Sequence, residues 1–319
     1  MLNFSRLIYP ISTKLFVEEY WQKRPLIVRD RDRDYYTDLV KTADIDRLIY
    51  SLQPDWRKMR LIKQGGFLAS NYMNPDGSPN LIQVYNAYQK GYTVVLYDLE
   101  QRWASLSALT RNLEDFFNHA VNLDGYLTPA NSQALTPHFH WEEVLILQVE
   151  GVKHWRVYNP LPTPQLQSRK LTNDTALPPE NLPPLVMDVC LEPGDFFYLP
   201  GGWGHEAFTA ACSSLHLSVG ISLYTWRDLL TALLSSLRQE NLEFRRALPA
   251  GFLNKDNIHT EQIEPLLRMI AEKTDLDSAI EVLKNKLLAR TSNPLPNGDF
   301  QRLNSANVKA ALVRQIQSE

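Results

Sequence analysis

Three histidines carry the chemistry that this sequence is equipped to do. His138 and His140 flank one residue in His138-Phe139-His140, and His205 ends the bend-prone run Gly202-Trp203-Gly204-His205. Alternate side chains of a β-strand leave the same face, so His138 and His140 converge on a point from which Phe139 turns away. Imidazole nitrogen is a strong ligand for first-row transition ions. A third imidazole, brought by a second strand or the loop beside it, closes the grip. Gly201, Gly202 and Gly204 allow the tight bends that deliver His205. The expected chemistry is that of a bound transition metal.

Such a grip needs a rigid sheet. Between about residues 121 and 223 the chain consists of short apolar runs broken by Pro and Gly: VLILQV, HWRVY, PLVMDVCL, DFFYLP and SLHLSVGISL. Strands at this spacing make a sandwich or barrel, and Pro193-Gly194-Asp195 marks a turn before one of them. Helices are expected around it. Residues 13 to 24 place Leu15, Phe16, Glu19, Tyr20 and Lys23 at helical spacing, ahead of Pro25 and a short strand in LIVRD. Asp44 to Leu52 and Leu99 to Val121 are again helical, the second with Trp103, Leu106, Leu109, Leu113, Phe116 and Phe117 on one broad face. After Thr225, a good helix cap, TWRDLLTALLSSLRQENLEFRRAL and IEPLLRMIAEKTDLDSAIEVLKNKLLAR form a separate helical unit closed by a turn over 294–298. Residues 160 to 184, rich in Pro, Gln, Asn and Thr, are expected as a long loop bordering the substrate entrance.

Composition narrows the class. A chain of 319 residues, 44% hydrophobic and 22% charged, is an ordinary globular protein, and its net charge of −3 exerts no general pull on nucleic acid or membrane. No nucleic-acid partner is expected. Two cysteines, Cys190 and Cys212, make neither a disulfide framework nor a Cys-x-x-Cys zinc motif, which fits a reducing cytoplasm. Arg6 and Lys14 interrupt the apolar residues near the N-terminus, and there is no apolar run of about 18 residues, so neither export nor a membrane span is expected.

The ordered segments YLTPANSQALTPHFHWEEVLILQVEGVKHWRVYNP, LEPGDFFYLPGGWGHEAF and SLHLSVGISLYTWRDLL, with FVEEYWQKRPLIVRD before them and LDSAIEVLKNKLLAR after, resemble the JmjC ribosomal-oxygenase family of cupin-like proteins. The resemblance extends over most of the chain. It implies an α+β fold, a double-stranded β-helix or jelly roll with flanking helices and a C-terminal helical unit. The boundaries it suggests are 1–95 for a mixed helical and strand region packing on the core, 96–225 for the jelly roll, and 226–319 for a helical, dimerising region. Too few residues follow Gly298 for the winged helix that often ends family members. The resemblance further implies an iron(II)- and 2-oxoglutarate-dependent hydroxylase, a homodimer acting on a side chain of a protein or peptide, whether a ribosomal protein or a modified peptide. Residue by residue, His138 matches the first iron ligand and His205 the distal one. Lys153, in Glu150-Gly151-Val152-Lys153, matches the residue that pairs with the far carboxylate of 2-oxoglutarate, and Tyr126 a tyrosine that hydrogen-bonds the same group. His216 and Ser218 fall on a strand that lines the cofactor pocket in the family.

The family pattern is His-x-Asp or His-x-Glu, whereas here the carboxylate position holds His140. Iron(II) with three neutral imidazoles carries a formal charge of about +2, against about +1 when one ligand is a carboxylate. The extra charge favours a dianionic cosubstrate and acidifies bound water. If the strand is regular through 138, 140 and 142, Glu142 restores a carboxylate in a three-His, one-Glu set. Two other functions stay open. A three-His cupin dioxygenase that binds its substrate directly on iron needs no 2-oxoglutarate, although it has no use for Lys153 and Tyr126. A catalytically inactive JmjC-like binding module would make His140 a lost ligand. His119, His154 and His259 are read as structural; Trp141, Trp155 and Trp203 are read first as packing, with Trp141 and Trp203 placed beside the ligands to wall the pocket.

Overall fold

A computed structural model describes residues 2–51, 58–68, 72–160, 176–253, 260–272 and 275–290. The described chain divides into two compact units, one formed by the residues up to Phe117 together with Val121–Ile221, the other by Asn118–Ala120 and the residues from Ser222 onward. The turn over 294–298, His259 and residues 161–175 of the expected loop lie outside the described residues.

The first unit opens with α1 (Phe4–Ile8) and α2 (Thr13–Glu19). Each is started by a polar cap: Asn3 Oδ1 accepts from Arg6 N at 3.0 Å, and Ser12 Oγ from Leu15 N at 3.1 Å. Next come β1 (Leu26–Val28), α3 (Ile45–Ser51), β2 (Met59–Lys63), β3 (Gly66–Phe67), α4 (Leu81–Gln89), β4 (Thr93–Leu96) and α5 (Ala104–Phe117). The helical pattern of α5 reads on to Val121, but Asn118 adopts a left-handed backbone with φ 54°, and this stops the helix at Phe117. Its broad apolar face is used as expected. Phe116 and Phe117 meet Phe4 at ring distances of 4.6 and 4.7 Å, and Phe117 stacks on Trp21 at 4.8 Å. Phe4 is buried, 2% exposed, which contributes about 1.5–3 kcal/mol, whereas Phe116 stays partly exposed.

Strands follow as β5 (Ala120–Thr128), β6 (Glu143–Gly151), β7 (Lys153–Pro160), β8 (Leu185–Leu191), β9 (Phe196–Leu199), β10 (Trp203–Phe208) and β11 (Ser214–Ser222). They form two sheets, an eight-stranded one ordered β1-β9-β6-β11-β5-β4-β2-β3 and a three-stranded one ordered β10-β7-β8. Between the sheets lies an apolar core of Val144, Ile146, Phe197 and Leu199 from one and Trp155, Val157 and Leu191 from the other. This is the expected double-stranded β-helix. The N-terminal region does more than pack against it, because β1 extends the large sheet at one edge and β4, β2 and β3 extend it at the other. Strand β1 runs antiparallel to β9, with Leu26 opposite Tyr198 and Val28 opposite Phe196.

In the second unit are α6 (Trp226–Glu240), α7 (Thr260–Glu272) and α8 (Leu276–Arg290). Thr225 caps α6 as its sequence suggests, in a capping box with Asp228: Thr225 N donates to Asp228 Oδ2 at 2.8 Å and Asp228 N to Thr225 Oγ1 at 3.3 Å. Ala232 and Leu233 of α6 pack on Ala279 of α8. No helix among the described residues is long and apolar enough to cross a membrane.

The turn from β6 to β7 depends on Gly151, which has φ +65° and a position where a Cβ would fall 1.8 Å from the Ser213 carbonyl oxygen. Gly151→Ala is therefore expected to lower stability by at least about 2 kcal/mol, read as a lower urea midpoint. A midpoint equal to wild type would contradict this account of the turn.

Candidate metal centre

The centre is assembled by backbone pairing. His138 and His205 form an antiparallel bridge in which His138 N donates to His205 O at 2.9 Å and His205 N to His138 O at 2.7 Å. Side chains of directly opposed residues emerge on one side of the pair, so these two rings must meet. His140 is fixed from the other direction, because its carbonyl accepts from Gly202 N at 2.7 Å. That approach needs glycine next door: a Cβ on Gly201 would stand 2.5 Å from the Trp141 carbonyl oxygen. Phe139 points the opposite way and is buried, 5% exposed.

The three rings face one point. Ring centroids are 4.4 Å apart for His138 and His205, 4.8 Å for His138 and His140, and 5.2 Å for His140 and His205. One nitrogen from each ring can be chosen so that all lie within 4.8 Å of one another. His138 Nε2 and His140 Nε2 are 3.1 Å apart, the spacing of neighbouring ligands on one ion with metal–nitrogen bonds of about 2.1 Å. His138 Nδ1 donates to Thr136 O at 2.7 Å and His205 Nδ1 to Trp203 O at 3.1 Å, which leaves each Nε2 with a free lone pair. No hydrogen bond from the described residues anchors His140 Nδ1 in this way. Burial, reinforced by His140, pushes the His138 imidazole down to about 3; burial alone pushes His140 down to about 4. Burial, then His138 and His140, pushes His205 well below its ordinary value. All three rings are thus neutral donors at neutral pH, and the set fits a transition cation.

The pocket below the rings is lined by Tyr126, Lys153, His216 and Ser218, all anticipated from sequence, and by Ala134, Leu135, Val144, Trp155 and Ala207. Lys153 is 1% exposed; its Nζ donates to Thr128 Oγ1 at 2.7 Å, and that hydroxyl also accepts from Thr93 Oγ1 at 3.2 Å. Among the described residues no carboxylate pairs with it, and burial pulls its pKa down to about 7. Tyr126 stacks on His216 with centroids 4.9 Å apart and planes 10° from parallel. Burial raises the Tyr126 phenol well above its ordinary value, and burial followed by the charge of Lys153 keeps His216 neutral. Among the described residues, His216 Nδ1 and Trp155 Nε1 are buried without a hydrogen-bond partner.

Several expectations change. The strand is not regular through residue 142: Trp141 and Glu142 form a bend and β6 begins only at Glu143. Glu142 consequently stays out of the His138, His140 and His205 group, and its Oε2 lies 3.0 Å from where a Gly220 Cβ would be, near Asn122. Glu206, beside His205, accepts from Tyr158 Oη at 2.8 Å and Gln133 Nε2 at 2.9 Å. Trp155, rather than Trp141 or Trp203, lines the pocket; Trp141 packs edge-on against Phe139 at 4.7 Å. His154 stacks on Phe208 at 5.2 Å, and His119 accepts from Tyr224 N at 3.1 Å. Sequence reasoning missed the pocket roles of Thr128 and Trp155. The signal was the two-residue strand period, because each lies two positions beyond a residue already singled out, Tyr126 and Lys153.

Fold and site together define a cupin of the JmjC type. A family model described as a JmjC domain matches residues 99–229, and this chain is a JmjC-domain protein. It is similar to ribosomal oxygenases along most of its length. It is 32% identical over 288 residues to Ribosomal oxygenase 1 of Homo sapiens, covering 85% of this chain and 43% of that protein. It is 29% identical over 304 residues to the Bifunctional lysine-specific demethylase and histidyl-hydroxylase NO66 of Culex quinquefasciatus, covering 90% of this chain and 46% of that one. The chain spans about half the length of the curated relatives it matches. Among solved structures, ycfD of Escherichia coli superposes with TM-score 0.55 at 18% identity, over 82% of this chain and 67% of that one. The YcfD ribosomal oxygenase in complex with cobalt and 2-oxoglutarate gives TM-score 0.54 at 18% identity, over 82% and 66%. These likenesses establish the fold.

The neutral rings make a pH prediction. Unfolded histidines take up protons near 6.5, whereas His138 and His140 resist until about 3 and 4, so the unfolded chain binds more protons in between. The metal-free protein is expected to lose stability as pH falls from about 6.5 to about 4. Urea titrations across this range should show a shallower slope for His138→Gln/His140→Gln. An unchanged slope would mean the rings are not buried as described.

Proposed function

We propose that this chain is an iron(II)- and 2-oxoglutarate-dependent oxygenase that hydroxylates a side chain of a protein or peptide. The observation that carries the reading is the coincidence, in one pocket, of a three-imidazole grip and a buried lysine with no carboxylate partner among the described residues. The first is built for a cation, and the second stays uncompensated until an anion arrives. Relatives named ribosomal oxygenase and histidyl-hydroxylase, and a fold neighbour solved with cobalt and 2-oxoglutarate, support the same reading.

When bound, the iron with 2-oxoglutarate supplies oxygen activation, coupled to conversion of the cosubstrate to succinate and carbon dioxide. The protein supplies position and charge. His138, His140 and His205 hold the metal through Nε2. Lys153 Nζ holds the far carboxylate of 2-oxoglutarate, and Thr128, through its hydroxyl, keeps that ammonium oriented. Tyr126 closes one wall by stacking on His216, whose unpaired Nδ1 adds a polar contact, and Ser218 offers a hydroxyl on the same strand. The aliphatic side chains Leu135, Val144 and Ala207 exclude water, which strengthens every charge–charge contact inside.

The same reading takes residues 226–319 as a homodimerising region. Trp226 at 81% and Leu230 at 53% exposure offer apolar surface on α6 for that contact. It places the protein in the cytoplasm, with a ribosomal protein or other peptide as substrate and no nucleic-acid partner. The three-His donor set is also the observation that would favour a dioxygenase acting without 2-oxoglutarate, and the buried Lys153 argues against it.

Anaerobic addition of iron(II) and 2-oxoglutarate is expected to give a visible charge-transfer band that needs both, and air is then expected to release succinate. Lys153→Met should weaken 2-oxoglutarate binding by about 100-fold while metal uptake persists, since the anion loses its charge-assisted partner. Affinity in the wild type should fall as pH rises above about 7, where the ligand-free lysine loses its proton. Metal uptake with neither band nor succinate would leave a binding module instead.

A further inference from the structure

The metal grip contains no oxygen donor. Its three ligand atoms are imidazole nitrogens, and the pocket they face is lined by no carboxylate among the described residues. The two nearest acids in sequence are engaged elsewhere. Glu142 Oε2 lies 3.0 Å from where a Gly220 Cβ would be, and both oxygens of Glu206 accept hydrogen bonds, from Tyr158 and from Gln133. Among the described residues the protein therefore offers its cation no hard donor, and the charge of Glu206 acts on His138 from outside the ligand set.

Divalent ions respond differently to that offer. Magnesium and manganese hold best to carboxylate and water oxygens, whereas imidazole suits iron, cobalt, nickel and zinc, with affinity rising from manganese through iron and cobalt to nickel. Exchanging one carboxylate for an imidazole removes most of the attraction for the first group and little for the second. His140 stands where that exchange decides the outcome. Its Nε2 is 3.1 Å from His138 Nε2, close enough to share one ion, and among the described residues it has no carbonyl anchor like those that fix the distal nitrogens of His138 and His205.

We infer that His140 is the metal-specificity residue of this centre: with an imidazole at 140 the site takes iron(II), cobalt(II), nickel(II) or zinc(II) and excludes manganese(II) and magnesium(II). The inference rests on His138, His140 and His205 being the metal grip of the function proposed above.

The test needs no turnover. The full chain, stripped of metal, is dialysed at neutral pH against manganese(II), cobalt(II), nickel(II) or zinc(II) in turn, and bound metal is measured by elemental analysis. The wild type is expected to hold cobalt and nickel at least about 100-fold more tightly than manganese. His140→Asp is expected to bind manganese more tightly and to shrink the cobalt-to-manganese ratio by about tenfold or more. His140→Glu supplies the same donor on a longer arm and stands in if the aspartate variant does not fold. Stoichiometric metal in all three proteins with the same ratio in each would overturn the inference while leaving the metal centre intact. A wild type that binds none of the four ions would overturn both.

Discussion

Two backbone hydrogen bonds exchanged between His138 and His205 are the constraint on which the centre depends. At 2.9 and 2.7 Å they close a narrow antiparallel bridge between a loop and strand β10, and everything polar in the pocket is referenced to it. Strand β10 is held in turn by β7, with His205 opposite Val157, and β7 begins at Lys153. The small sheet thus carries both a metal ligand and the buried ammonium on one hydrogen-bonded frame. Their separation is set by ladder geometry, and side-chain flexibility contributes little to it. The large sheet faces them with Tyr126 and His216, stacked on each other across β5 and β11.

Electrostatics then give the pocket its character. Three imidazoles held neutral by burial are poised to donate lone pairs, and an ammonium with no carboxylate beside it among the described residues sits at the far end. An unpaired buried charge costs several kcal/mol. It is tolerable in a fold whose core elsewhere is well packed, and it is relieved when an anion enters. A divalent cation at one end and a lysine at the other match a small dicarboxylate in charge and in the placement of that charge. His216 Nδ1 and Trp155 Nε1, both buried, likewise have no hydrogen-bond partner among the described residues.

Much of this was legible in the residues, and the reasons for the rest are physical. His138 and His140 announce themselves because a two-residue period is local, and Thr225 because a helix cap acts within one helical turn. Lys153, Tyr126, His216 and Ser218 were placed by resemblance and do line the pocket. What failed depended on backbone detail that no short window encodes. Glu142 would share the face of the histidines only in a regular strand, and a bend at residues 141 and 142 breaks the alternation. The apolar face of α5 runs past the point where left-handed Asn118 ends the helix. Strands β2 and β4 joined the large sheet unannounced, because pairing partners distant in sequence leave no periodic mark.

The most direct measurement is a crystal structure of the full chain with cobalt(II) and 2-oxoglutarate bound. The account predicts one cobalt ion on the Nε2 atoms of His138, His140 and His205, with the far carboxylate of the ligand in contact with Lys153 Nζ. Cobalt held by Glu142, or by two rings with His140 turned away, would contradict it.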